Sequence, residues 1–229
     1  MSEPQALLRG RVRLALHPLR TGSAPRLLRL HALYASASRL AASPVDWPGA
    51  TFALDFCGHG ASGWVVGGAY TPELLAGDAD AALARVGPAC LAGEGIGAYV
   101  ALLLAGARPE LVPAALLLPG PGLEGGGPLP DFSGRPELVW AAQASRPRQR
   151  GGAMGEADPL VCALESDARP VDYAEVFAAR AHRLLLVEDG GPRPAWWEAA
   201  ARVGVVQRVA LDTAWNALRA AGGGDETAF

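Results

Sequence analysis

The chain has 229 residues, half of them apolar, enough for one substantial core and too few for two comfortable ones. Its 20 basic and 23 acidic residues leave a net charge of -3, which excludes a nucleic-acid partner or an acidic membrane recruited by bulk charge. Apolar runs such as "YVALLLAGA" reach only about half of the roughly 20 residues that a bilayer span requires, so no membrane partner is expected.

In chain order, "RGRVRLALHPL" (9–19) alternates basic or polar with apolar residues, the pattern of an edge strand with one solvated face. "RLLRLHAL" (26–33) and "ATFALDF" (50–56) read as buried strands, and "GHGASG" as the turn after the second of them. "TPELLAGDADAALARVG" predicts a helix with Thr71 as its cap, Pro72 at its first position and Glu73 in its first turn. "PACLAG" is a strand, "IGAYVALLLAGARP" a helix stopped by Gly106 and Pro109, and "VPAALLLPG" another strand.

The pattern then gives way, over about 120–155, to a Gly/Pro/Arg-rich insertion placed where a lid would sit. "DYAEVFAARAH" resumes as a helix, "RLLLVED" as a strand, "PAWWEAAARVG" as a helix, "VVQRVAL" as a last strand and "AWNALRAA" as a closing helix before a frayed tail. Strands and helices alternating at this spacing predict an α/β class: a mainly parallel central sheet with helices on both faces, in one domain over residues 1–229.

The three cysteines, Cys57, Cys90 and Cys162, are odd in number and far apart, with no C-x-x-C pair. They read as reduced thiols. The N-terminal segment lacks an apolar run ending in a cleavage site, so a cytoplasmic protein is expected. No metal and no cofactor are called for.

Four landmarks have a common likeness. "LRLHALYASAS" places His31 and Ala32 after a strand; "LDFCGHGASG" places Asp55, Gly58, His59, Gly60 and Ser62 in a turn after the next; "LAGEGIGAYVALLLAGARPELV" is a tight strand-to-helix elbow; and "HRLLLVEDGGPRP" is a late strand with its loop. Together they resemble the α/β-hydrolase superfamily over roughly residues 28–220. That resemblance implies a nucleophile at the middle of Gly-x-Ser-x-Gly, an oxyanion hole from the N–H groups of Ala32 and Ile96, an acid after the late strand, and a histidine after the last one.

The chemistry departs from the pattern. The nucleophile position is Gly95, which has no oxygen or sulfur to attack a carbonyl. The four histidines, His17, His31, His59 and His182, all precede the last strand. Glu188 and Asp189 are near the acid's place, but Pro192 stands about where the carboxylate belongs. Two functions follow: a degenerate hydrolase that binds a small carbonyl- or carboxylate-containing ligand or a protein partner, or an active hydrolase, lyase or cyclase with other acid/base chemistry.

Glu94 and His31 are the candidate catalytic groups, and His31, Ala32, Ser36, Glu94, Gly95 and Ile96 the candidate ligand-binding set. Each has a plainer reading. Glu94 either exchanges a proton with a ligand or hydrogen-bonds the turn, and His31 either meets a carbonyl or orders the loop around it. Asp55, Cys57 and His59 alternate like metal ligands but are accounted for as turn residues. Cys57 and Cys90 are weak substitutes for the nucleophile, Ser36 and Ser38 lack a base, and Trp64, Trp140, Trp196 and Trp197 either wall a pocket or pack in the core.

Overall fold

The computed structural model describes residues 3–65, 70–129 and 157–222. Eight strands, β1 (Gln5–Arg9), β2 (Val12–Arg20), β3 (Leu27–Leu30), β4 (Thr51–Asp55), β5 (Cys90–Glu94), β6 (Ala115–Leu118), β7 (Leu184–Glu188) and β8 (Val206–Ala210), form one sheet in the order β1-β2-β4-β3-β5-β6-β7-β8. From β4 outward to β8 neighbouring strands are parallel, while β2 is antiparallel to both β1 and β4. The seven α-helices among the described residues are α1 (Ala37–Ala42), α2 (Pro72–Val86), α3 (Ile96–Ala107), α4 (Ala163–Ser166), α5 (Val171–Arg180), α6 (Ala195–Ala200) and α7 (Leu211–Gly222).

Side chains along a strand alternate between faces, and here both faces are covered, which is why the central strands read as largely apolar runs. Leu28, Leu30, Leu91, Leu117, Leu184 and Leu186 face α2, α3, α5 and α6. Leu27, Cys90, Ala92, Leu116, Leu185 and Val187 face Trp47 and the apolar side of α7, Ala214 and Leu218. Each fully buried leucine contributes about 1.5–3 kcal/mol of transfer free energy, and β3 and β5 at the centre are buried almost throughout.

Several expectations are refined. The segment 9–19 is not the edge: β1 takes that place and β2 is hydrogen-bonded on both sides. α2 starts as expected, with the Thr71 hydroxyl accepting from Leu74 N–H at 3.2 Å. Gly106 does not stop α3, which runs to Ala107. A Cβ at Gly106 would lie 2.7 Å from the Phe177 Cα, so this glycine serves the close approach of α5. α1 was not anticipated. Its C-terminal carbonyls are met by Arg29, whose Nη1 donates to Leu40 O at 2.7 Å and to Ser43 O at 2.9 Å from within β3. Of the insertion expected over 120–155, residues 120–129 are described and 130–155 lie outside the described residues, as do Trp140 and the tail from 223.

Candidate functional site

β5 ends at Glu94 and α3 starts at Ile96, so the chain reverses from strand to helix on one residue, Gly95, at φ 59° and ψ -120°. A positive φ strains any residue with a Cβ. The flanking glycines allow the close packing this turn needs: a Cβ at Gly93 would lie 2.7 Å from Ala98 N, and one at Gly97 would lie 2.5 Å from Leu30 O. The elbow predicted from the spacing of glycines is therefore present, with its apex facing the C-terminal ends of the parallel strands.

What faces the apex is the loop after β6. The carbonyl oxygen of Pro121 accepts two backbone hydrogen bonds, from Ile96 N–H at 3.1 Å and from Leu33 N–H at 3.1 Å. A Cβ built on Gly95 would fall on that same oxygen and lie 2.9 Å from the carbonyl carbons of Gly120 and Pro121. The two donors come from the first turn of the elbow helix and from the loop after β3, the two segments in which the resemblance placed an oxyanion hole. The second donor is Leu33 where Ala32 was expected. Ala32 instead uses its carbonyl, which accepts from Ala35 N–H at 3.1 Å.

His31 is fully buried and both its ring nitrogens are engaged. Nδ1 donates to Ala32 O at 2.8 Å, which leaves Nε2 as the acceptor for Phe56 N–H at 3.1 Å. Burial pushes its pKa down, against the Ala32 bond and the Asp55 charge, so the ring is held neutral in one tautomer. Its neighbour His59, 4.9 Å away between ring centres, is pushed down to about 3 by burial and then by His31.

Asp55 organises the turn beneath. It pairs with His17 at 2.9 Å and accepts from Ala37 N–H at 2.6 Å and Ala61 N–H at 2.9 Å. Burial alone would raise its pKa; the bonds outweigh it and hold the carboxylate below its ordinary value. Cys57 is turned toward Asp78 and Arg9, and burial followed by Asp78 pushes its thiol well above the usual range. Asp55, Cys57 and His59 thus do not converge, and among the described residues no group of three such side chains is placed to hold a metal ion.

The remaining candidates are scattered. Glu94 is partly exposed and its carboxylate is 3.9 Å from the Arg39 guanidinium. Ser36 precedes α1, and its hydroxyl is 2.7 Å from that of Ser38. Glu188 pairs with Arg208, and Asp189 accepts from Gly191 N–H at 2.9 Å and from Arg193 at 2.5 Å, which keep its pKa low. Cys90 is in the core, as are Trp196 and Trp197. β8 passes directly into α7 at Ala210 and Leu211, so there is no loop in the place from which a base would reach the elbow.

No protein-family model and no curated protein matches the chain. Solved structures do. A thioesterase domain from the curacin biosynthetic pathway superposes with a TM-score of 0.61 at 19% identity, covering 95% of this chain and 96% of that one. Est816, described as an N-acyl homoserine lactone degrading enzyme, gives 0.63 at 18% identity over 90% and 91% of the two chains. The bottromycin epimerase BotH, in complex with bottromycin A2, gives 0.63 at 18% identity over 96% and 98%.

The chain has the α/β-hydrolase fold. Two residues outside the expected set matter to this α/β-hydrolase elbow, Leu33 and Pro121. The signal for them was in the sequence: a glycine at the apex leaves a side chain's volume open, and "PGPG" at 119–122 follows β6, the strand next to β5.

Proposed function

We propose that this chain is a degenerate α/β-hydrolase: a binding protein, one domain over residues 1–229, that recognises a small carbonyl- or carboxylate-containing ligand without turning it over. The observation that carries this reading is the Pro121 carbonyl, which accepts from both Ile96 and Leu33 N–H groups. In an acyl-transfer enzyme such donors wait for the charge that develops in the transition state, and losing one costs about 2.7–4 kcal/mol of barrier lowering. Here a neutral backbone oxygen satisfies both in the resting protein.

The same arrangement weighs against relocated acid/base chemistry. A mechanism using His31 as base requires breaking a bond to Ala32 or Phe56, and one using Glu94 has no free donor pair to stabilise an oxyanion or enolate. His31, Ala32, Ser36, Gly95 and Ile96 then serve as the frame of the elbow, and Glu94 beside Arg39 is its accessible polar edge. The reading also puts the protein in a reducing, cytoplasmic compartment, in which cysteine thiols stay reduced.

The test is hydrolysis of short-chain p-nitrophenyl esters by purified wild type, Glu94→Gln and His31→Gln. No turnover above buffer is expected in any of them. Wild-type turnover that disappears in either variant would overturn the reading in favour of an enzyme with non-triad chemistry.

A further inference from the structure

The loop that fills the elbow continues to a second polar cluster. Leu123 O accepts from the Trp196 indole N–H at 3.0 Å, Gly126 N–H donates to Asp167 O at 2.9 Å, and Gly127 N–H donates to Glu165 O at 3.0 Å. Between these contacts, Gly125 packs on Arg169: a Cβ there would lie 2.6 Å from Arg169 Nη1. The arginine is only 8% exposed; among the described residues its Nη2 donates to Leu164 O at 3.2 Å, while Nε and Nη1 have no hydrogen-bond partner.

Its guanidinium lies 5.5 Å from the ring centre of Tyr99, in the first turn of α3, and the fully buried Tyr99 hydroxyl has no hydrogen-bond partner among the described residues either. Neither has Asp167 Oδ2. Burial lowers the Arg169 pKa to about 10, with Tyr99, Asp167 and Glu73 drawing it back up. Burial, followed by Glu73, raises that of Asp167. A buried cation whose N–H groups lack acceptors is costly, and one that served packing alone would be replaced by an apolar side chain at no loss.

We infer that the Arg169 guanidinium and the Tyr99 hydroxyl form the anchor for the carboxylate of a small organic acid. The inference rests on the binding-protein reading above for the class of ligand, and it supplies what the elbow does not: donors that are free. A carboxylate offers about four acceptor sites to Nε, Nη1 and the hydroxyl, and its bonds to the guanidinium are charge-assisted. Asp167 and Glu73 put negative charge beside the arginine, so the site favours a monoanion over a phosphate dianion.

Isothermal titration of the wild-type protein with acetate, butyrate and inorganic phosphate tests this, together with the NMR signal of the Arg169 Nε–H. Butyrate is expected to bind and to move that signal, with affinity about fivefold weaker in Tyr99→Phe, the loss of one hydrogen bond, and at least about tenfold weaker in Arg169→Gln, the loss of a charge-assisted one. The inference is overturned by equal affinity in wild type and Arg169→Gln, by absence of heat and of a shift with both acids, or by phosphate binding as tightly as butyrate. If Arg169→Gln does not fold, Tyr99→Phe and the wild-type signal decide. Ester turnover by wild type would defeat the binding-only reading while leaving these titrations intact, so the two failures are distinguishable.

Discussion

Restoring the elbow serine by Gly95→Ser is the most direct perturbation of the occupied donor pair, and its outcome follows from distances. The new Cβ would fall on the Pro121 oxygen and lie 2.9 Å from two carbonyl carbons, all of them backbone atoms that cannot rotate away. Relief requires the loop to lift, which breaks the 3.1 Å bonds from Ile96 and Leu33. Each lost bond costs about 0.5–1.5 kcal/mol, overpacking costs about 1–3 kcal/mol, and a non-glycine at φ 59° costs about 1–3 kcal/mol. The variant is therefore expected to be destabilised by roughly 3–9 kcal/mol, a large part of the about 5–15 kcal/mol that holds a typical domain together. Urea unfolding measures it through the midpoint at constant slope, and the same samples are assayed on p-nitrophenyl esters, on which no turnover is expected because the sequence has no histidine after the last strand to serve as base. A serine variant within about 1 kcal/mol of wild type, or one that gains hydrolysis, would refute the reasoning, since either result requires Pro121 to leave the donors freely.

Stability is expected to fall on acidification between about pH 6.5 and pH 3. His31 and His59 are neutral in the folded protein, the latter with its pKa pushed down to about 3, so below pH 6.5 the unfolded chain binds protons that the native chain excludes. Asp55, with its pKa held low, adds to the same slope at the acid end, and the midpoint of urea unfolding followed against pH reads both. Asp78→Asn is expected to cost about 3 kcal/mol in the same assay, because Asp78 is fully buried, pairs with Arg9 and accepts Cys57 N–H at 2.8 Å. Gly106→Ala, conservative on helix propensity, is expected to destabilise by about 1–3 kcal/mol, because its methyl meets the α5 backbone at Phe177; a stabilised variant would contradict that contact.

Most of the frame was legible because it is periodic. The parallel strands are short apolar runs bounded by glycine and proline, and α2 announces itself by Thr71, Pro72 and Glu73. The missed pieces have no such signature. β1 alternates weakly, with Leu8 facing solvent and Leu7 facing the core, and α1 is one and a half turns whose C-terminal carbonyls are met by a side chain from another strand. At the site, the glycine at the elbow apex and the lack of a histidine after the last strand could be read directly. The occupation of the donors could not, because it depends on where a loop with no hydrophobic period lands, and the missing Cβ at Gly95 and the "PGPG" run after β6 were the hints that something filled the space.

Gly95 and Pro121 are one feature, and on the reading proposed above the site differs from a hydrolase's by more than a single atom. Removing a side chain from an α/β-hydrolase elbow leaves two backbone N–H groups pointing at a void, and buried unpaired donors are unfavourable by about 1–3 kcal/mol each. The Pro121 oxygen satisfies both, and it fits only because there is no Cβ in its way. Once the loop is seated, its next residues reach Trp196, Asp167 and Glu165, so moving Pro121 out also disturbs contacts on α6 and around Arg169. β8 joins α7 directly, so no loop lies between these two elements to carry a base toward the elbow. A single Gly95→Ser change therefore strains the turn without supplying a base, and on the reading proposed above a ligand's carboxylate is met by Arg169 and Tyr99, around the other end of the same loop.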